Sequence, residues 1–485
     1  MLLALLLPAC TGAPDDTGAP TPADTSAPDT GGAGASLGDA ASALTGGASD
    51  AVGNAVALVP GVGHASIAVA AYFTGSVCVF ADAPAPGATP LTDAGACWSS
   101  ARPPDFAGYA LSGGPDLGGD GEGDLLVGAI GEGTNGASAG AVYVLARPAL
   151  PGAHPLTDAG LVLLGESGAD LAGSGLAFAG DTDGDGTVDL LVGAPGNDAG
   201  GSGGGRAYLL QGPLHVGVFL LADAATVITG TGESGTGEST AAPPHGAPVL
   251  GDGLGVVLDG VGDLDGDGVD DIALGANGND AGGLDAGAFA VFLGPVGAGA
   301  FTLADADQLY LGDAERLYAG DAVAAAGDLD GDGLADVLVG GGTEGPGTTW
   351  VVAGPGTAGT SALTSVSTSF VGETAYDYAG AAAARAGDLD GDGWADVVIG
   401  AYGRDDVATD AGGVYLARGP FPAGVVALAD AATLWRGEGA GDNAGRAVAG
   451  GADVDGNGLD DVLVGALYSG DPAPAAGKAY LLLSE

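Results

Sequence analysis

Positive charge is what this chain has least of. Ten Lys and Arg stand against 62 Asp and Glu in 485 residues, a net charge of −52. Such a surface repels phosphate backbones and anionic headgroups, so no nucleic acid is expected as a partner. Aromatics make up only 5%, so any local gathering of rings is informative. No apolar run reaches the roughly 18 residues that a membrane-spanning helix needs, and no stretch shows helical periodicity. The four histidines, His64, His154, His215 and His245, fall in separate loops without the spacing of a metalloprotease helix. The Gly-x-Ser-x-Gly strings at 34–38 and 136–140 lack the strand-to-helix setting that a nucleophile elbow requires. No catalytic residue is therefore assigned, and the chain is not expected to be an enzyme. What it has in excess is glycine, 99 residues, set at fixed places between short apolar runs. A hydrophobic fraction of 46% is enough for a core.

The ends differ from the middle. Residues 1–9 are apolar and end on a small residue. Leu7-Pro8-Ala9-Cys10 resembles a bacterial lipobox, in which the leader is cut before a cysteine that is then acylated. An ordinary secretory leader with an incidental cysteine is the other reading. Residues 10–35 are Pro, Thr, Asp, Gly and Ala with almost nothing to bury, a tether that spans roughly 80 Å when extended. Residues 36–485 form the folded part. The resulting expectation is a secreted or cell-envelope protein on the outer surface of a bacterium, touching membrane only through a lipid on Cys10.

The middle repeats. The string GDLDGDGWADVVIGA (387–401) has relatives at 180–194, 262–276, 327–341 and 452–466, and a poorer copy at 115–129. The first Asp of each falls at 116, 181, 263, 328, 388 and 453. A period near 65 residues means one supersecondary unit per repeat. Four short apolar runs recur in each unit, bounded by Gly, Asp or Pro, and read as four strands. Residues 52–80 align as a seventh unit whose loop has lost every Asp. The chain stops after a third-strand signal, GKAYLLLSE, while 36–47 matches the fourth-strand pattern with no unit before it. The expected fold is all-β: a seven-bladed β-propeller of four-stranded blades, closed by an N-terminal strand that completes the last blade.

The D-x-D-x-D-G-x-x-D loop followed by apolar residues and Gly-Ala resembles the FG-GAP repeat of the integrin α-subunit propeller and of many bacterial surface proteins. Gly193-Ala194-Pro195 is an intact "GAP", and the "FG" element is reduced to Ala-Gly at 319–320 and 379–380. The resemblance covers residues 36–485. It implies calcium in the loops joining strands one and two, and a role in adhesion or recognition. A propeller-based extracellular hydrolase or lyase, or a purely structural envelope protein, are the alternatives.

The loop chemistry supports the metal independently. Three Asp at alternate positions of a tight turn can face one ion, and Gly at positions four and six permits the left-handed wrap. An all-oxygen donor set with three or four carboxylates suits Ca²⁺ better than Mg²⁺. About five sites are expected. Their ligands are Asp181, Asp183, Asp185 and Asp189; Asp263, Asp265, Asp267 and Asp271; Asp328, Asp330, Asp332 and Asp336; Asp388, Asp390, Asp392 and Asp396; and Asp453, Asp455, Asn457 and Asp461. A sixth, Asp116, Asp120 and Asp124, has Gly118 in place of its second carboxylate and should be weak or empty. The ions are expected to stiffen hairpins.

Cys78 and Cys97 fall on the third and fourth strands of the first unit, antiparallel neighbours, where either a disulfide or two buried thiols is consistent. Tyr72, Phe73, Tyr402 and Tyr468 lie in two-to-three connections of units that adjoin in a closed ring, on the face opposite the acidic loops. They mark a candidate surface for a protein or glycan partner, with rim packing as the alternative. A monomer is expected.

Overall fold

The computed structural model describes residues 35–485 except 101, 103, 104, 233–250, 343, 344, 367, 471, 472 and 485. The expected leader, Cys10, nearly all of the tether and residues 233–250, with His245, lie outside the described residues. Among the described residues there are seven sheets, and the innermost strand of each contacts that of the next, with the seventh returning to the first. This is a closed seven-bladed propeller. In the second blade the order from the axis outwards is Ala107–Gly114, Asp124–Ala129, Ala141–Leu145 and Leu161–Leu164, each antiparallel to the last. The seventh blade is closed as the repeat count requires. Ser42–Thr45 pairs antiparallel with Lys478–Leu482, Ser42 opposite Leu481 and Thr45 opposite Lys478.

Each sheet has five strands, not the expected four. The fifth is a short segment that precedes the fourth strand of the next blade, such as Gly152–Pro155 or Gly217–Leu220. It runs parallel along the outer edge of the preceding blade. It covers an edge that would otherwise expose unpaired N–H and C=O groups. Its residues are largely exposed, so it carries none of the apolar signal by which the inner strands are legible. The first two described residues, Ala35–Ser36, do the same for the sixth blade.

The second strand of a blade reads as a continuous apolar run because both faces are covered. In Asp124–Ala129, Leu125 and Val127 pack towards the first blade and Leu126 towards the third. The core is thus a series of inter-blade layers. Leu126, Val142 and Leu163 meet Leu190, Val192 and Tyr208 in one of them. Fully buried Leu126 and Leu190 contribute about 1.5–3 kcal/mol each.

The glycines of the two repeat signatures meet across the same seams. A methyl on Gly340, in the second strand of blade five, would lie 1.9 Å from the carbonyl oxygen of Gly380 in blade six. Gly380 has φ +94° and is the glycine of that blade's Ala-Gly pair. Gly400 with Gly445, and Gly465 with Gly53, repeat the contact at 1.9 and 2.1 Å. One glycine is needed for close approach and the other for its backbone angle.

Candidate metal centres and the opposite face

The acidic loops join first to second strands, so all lie on one face of the ring. Their local geometry is set by the first Asp. In the loop 263–271, Asp263 Oδ1 accepts from the N–H groups of Gly266 and Asp267 at 2.7 and 3.1 Å, and Oδ2 from that of Gly268 at 2.9 Å. Asp265 accepts from Asp267 N–H and Asp267 from Val269 N–H. The chain therefore wraps around its own carboxylates. Gly266 and Gly268 have φ +81° and +90°, as positions four and six require. The loops 181–189, 328–336, 388–396 and 453–461 repeat the pattern.

In each of these five loops, oxygens from three acids lie within 4.8 Å of one another. The groups are Asp181, Asp183 and Asp185; Asp263, Asp265 and Asp271; Asp328, Asp330 and Asp332; Asp388, Asp390 and Asp396; Asp453, Asp455 and Asp461. Carboxylate oxygens have two lone-pair directions each, so those taken by one N–H retain another for an ion. The donor set is all oxygen and negatively charged, which fits a hard cation. Asp267 and Asp392 at position five, and Asp189 and Asp336 at position nine, stand on the same loops but outside these three-acid groups. An arginine also reaches one loop from the end of a third strand: Arg418 Nε lies 3.4 Å from Asp390 Oδ2.

The ninth position does more than sequence reasoning assigned to it. Asp271 is fully buried; its Oδ2 accepts from Leu264 N–H at 2.7 Å and its Oδ1 from Gly294 N–H at 2.6 Å. It thereby ties the loop to the end of the third strand. Asp189, Asp336, Asp396 and Asp461 make the same pair of bonds. Burial pushes the carboxyls of Asp271 and Asp336 up to about 6, and raises those of Asp189, Asp396 and Asp461 in the same direction.

The loop 116–124 keeps the wrap but not the cluster. Asp116 accepts from Gly119 and Gly121 N–H, while Gly118 offers no oxygen from its side chain. Arg147 Nε lies 3.5 Å from Asp120 Oδ2. Asp124 Oδ2 accepts from Leu117 N–H, but its Oδ1 is buried without a hydrogen-bond partner, and burial raises its carboxyl to about 6.

On the opposite face the structure places the predicted tyrosines in different surroundings. Tyr402 is buried, stacked on Tyr378 at 4.9 Å, with the Arg446 guanidinium 5.6 Å from its ring centre. Tyr72 is half-buried and stacks on Phe106 at 5.3 Å, beside Phe73 and Tyr109. Burial raises the Tyr109 hydroxyl, and Arg446 opposes that rise. Residues of blades one, two, six and seven are thus brought into one neighbourhood around Arg446. Tyr468 is half-buried and outside this set of ring contacts. Phe73 is 38% exposed.

This face also holds buried polar networks that sequence reading missed. Arg404 is fully buried, with Glu373 Oε1 at 3.1 Å, Asp377 Oδ2 at 3.4 Å and the Tyr415 hydroxyl beside it. Arg206 pairs with Glu166 at 3.1 Å, and Lys478 with Glu438 at 2.6 Å. The signal was present: Gly-Glu followed by Asp four residues after the Glu recurs at 165–170, 372–377 and 437–442. In the first blade Cys78 and Cys97 sit opposite one another, Cα atoms 4.1 Å apart, joined as a disulfide. His64, in the acid-free loop of the first blade, and His154, on the edge strand of the same sheet, make separate contacts with backbone carbonyls.

Comparison with known proteins agrees with the repeat. A family model described as "FG-GAP-like repeat" matches residues 328–399, and one described as "FG-GAP repeat" matches 107–145 and 172–210. Among solved structures, a chain of the crystal structure of BBS1N in complex with ARL6DN, soaked with mercury, is similar at 10% identity. That match covers 91% of this chain and 93% of that one, with a TM-score of 0.41. The Dos1 propeller is similar at 12% identity, covering 93% and 94%, with a TM-score of 0.40. Among the described residues no helix is long and apolar enough to cross a membrane.

Proposed function

We propose that this protein, an FG-GAP repeat β-propeller, is an extracellular adhesion or recognition module in which Ca²⁺ stiffens five hairpins on one face and a protein or glycan partner binds the other. The observation that carries the reading is the fivefold gathering of three acid oxygens within 4.8 Å on a single face. Residues at positions one and three, with position five in two loops and position nine in the other three, would hold the ions. A bound cation offsets the mutual repulsion of these carboxylates, and the all-oxygen donor set with several carboxylates favours Ca²⁺ over Mg²⁺. The chain's own residues fix the carboxylates through backbone N–H groups, so the cation meets a formed loop. The disulfide supports an oxidising compartment, and FG-GAP repeats are typical of extracellular proteins. A lipid on Cys10 would hold the ring away from the membrane by the length of the tether; radiolabelled palmitate retained by the wild type and lost in Cys10→Ser tests this.

Isothermal titration of the full chain with calcium after chelation, and thermal unfolding in EDTA against millimolar calcium, test the metal. Binding of about five ions and a raised Tm are expected; an unchanged Tm with no heat of binding refutes it. On the partner face Arg404, Arg206 and Lys478 are engaged with Glu373, Glu166 and Glu438, which supports a structural use of these groups. A glycan and protein array probed with and without calcium, and with Tyr72→Ser and Tyr468→Ser, tests the location. Binding unaffected by both substitutions places the partner elsewhere, and turnover in a hydrolase panel would replace recognition by catalysis.

A further inference from the structure

The five acidic loops are not separate hairpins. Asp270, at position eight of its own loop, reaches the preceding blade, where its Oδ2 accepts from Asp181 N–H at 2.8 Å. Its own N–H donates to Asp181 C=O at 3.0 Å. The first ligand of the preceding loop is therefore held at both ends of its main chain by a residue 89 positions away. Asp460 holds Asp388 in the same way, at 3.1 and 3.3 Å. Ala335 N–H donates to Asp263 C=O at 3.2 Å.

The side chain at position seven rests on the preceding loop as well. A methyl on Gly266 would lie 3.0 Å from Leu334 Cδ2, and one on Gly331 would lie 2.5 Å from Trp394 Cη2. On Gly184 and Gly391 it would lie 3.6 and 3.4 Å from Val269 and Leu459. The fourth-position glycine is thus a seat for the next blade's side chain, besides supplying a left-handed angle. The contacts run in one direction, from 453–461 through 388–396, 328–336 and 263–271 to 181–189. The series is anchored by the acid-free loop of blade one, whose Ala65 N–H donates to Asp453 C=O at 2.7 Å.

We infer that these loops form one coupled arc, in which Asp270, Asp460, Leu334 and Trp394 are positioning residues for the cation site of the preceding blade. The inference rests on the reading that the loops hold cations. An occupied loop has its positions seven and eight fixed. It then offers an ordered seat to its neighbour, which loses less conformational freedom when its own ion binds.

Asp270→Ala in the full chain tests it, with calcium binding followed by competition against a chromophoric chelator. Asp270 belongs to none of the three-acid groups. The 181–189 site is expected to weaken by about tenfold, as for loss of a partner that orients a ligand, while the sites not linked through Asp270 hold. Asp270→Asn keeps an acceptor oxygen and should restore most of the affinity. In an Asp183→Asn background, which disables the 181–189 site, Asp270→Ala should cost nothing further. Should Asp270→Ala fail to fold, Trp394→Ala gives the same test on the 328–336 site, with Asp330→Asn as its background. Unchanged affinities in the variants, or an equal loss with the neighbouring site already disabled, overturn the coupling while leaving calcium binding intact. No calcium bound by the wild type overturns both.

Discussion

Replacing Asp271 by Ala should open a hairpin even with no metal present. Asp271 is fully buried and accepts two backbone hydrogen bonds, from Leu264 and from Gly294. Truncation leaves the buried Leu264 N–H and the half-buried Gly294 N–H without that partner, at about 1–3 kcal/mol for each. Against that stands relief from burying a charge, which the rise of this carboxyl to about 6 records. With about 2 kcal/mol for each donor and about 3 kcal/mol of relief at neutral pH, a net cost of about 1 kcal/mol remains. Amide hydrogen exchange in EDTA should therefore accelerate roughly five- to tenfold at Leu264 and Gly294. Asp265, exposed and accepting one hydrogen bond from the loop itself, is the control. Asp265→Ala should change exchange at those two amides by less than about threefold in EDTA, yet remove one calcium from the titration. If Asp271→Ala leaves both amides as protected as in the wild type, the ninth Asp is not a tie between loop and third strand.

Three further outcomes are expected. Asp271 and Asp336 are raised by burial to about 6, so their contribution to stability is full below about pH 4 and lost as pH rises through 6. In EDTA the Tm should fall over that window, and Asp271→Asn should make the fall shallower; a Tm that rises from pH 4 to 6 with metal absent contradicts this. Gly400→Ala should destabilise by about 3 kcal/mol or more, because the added methyl would meet the Gly445 carbonyl oxygen at 1.9 Å. Gly95→Ala, with nothing within 4 Å, should stay within about 0.5 kcal/mol; equal unfolding midpoints for the two would refute the seam argument. Removing the bridge with Cys78→Ala and Cys97→Ala together should cost about 3 kcal/mol for a loop closed over 19 residues, measured by unfolding without reductant.

Much of the metal face is legible in the chain because its parts are local. A D-x-D-x-D-G-x-x-D string wraps on itself, and the glycines at 266 and 268 take the left-handed angles that the spacing demands. The opposite face was less legible. For Tyr402 the sequence leaves both a partner surface and rim packing open; in the structure Tyr378 and Arg446 cover it, one from the entry to its own blade and the other from the next. The Gly-Glu motifs that precede each buried network lie about 30 to 40 residues before the Arg or Lys they meet.

The repeat period, the four inner strands, the acidic loops and the borrowed N-terminal strand that closes the ring were determined by the sequence alone. Each depends on residues within one unit, or on counting units. The fifth strand, the glycine seams, the tie made by the ninth Asp and the interlocking of successive loops were decided by the tertiary structure. Each joins residues that meet only when separate chain segments are brought together, most of them from adjacent blades about 60 or more residues apart. The physical reason is that a blade cannot bury its own faces or satisfy its own outer edge. What covers them comes from the neighbouring blade, and a single unit of the repeat carries no mark of its neighbour.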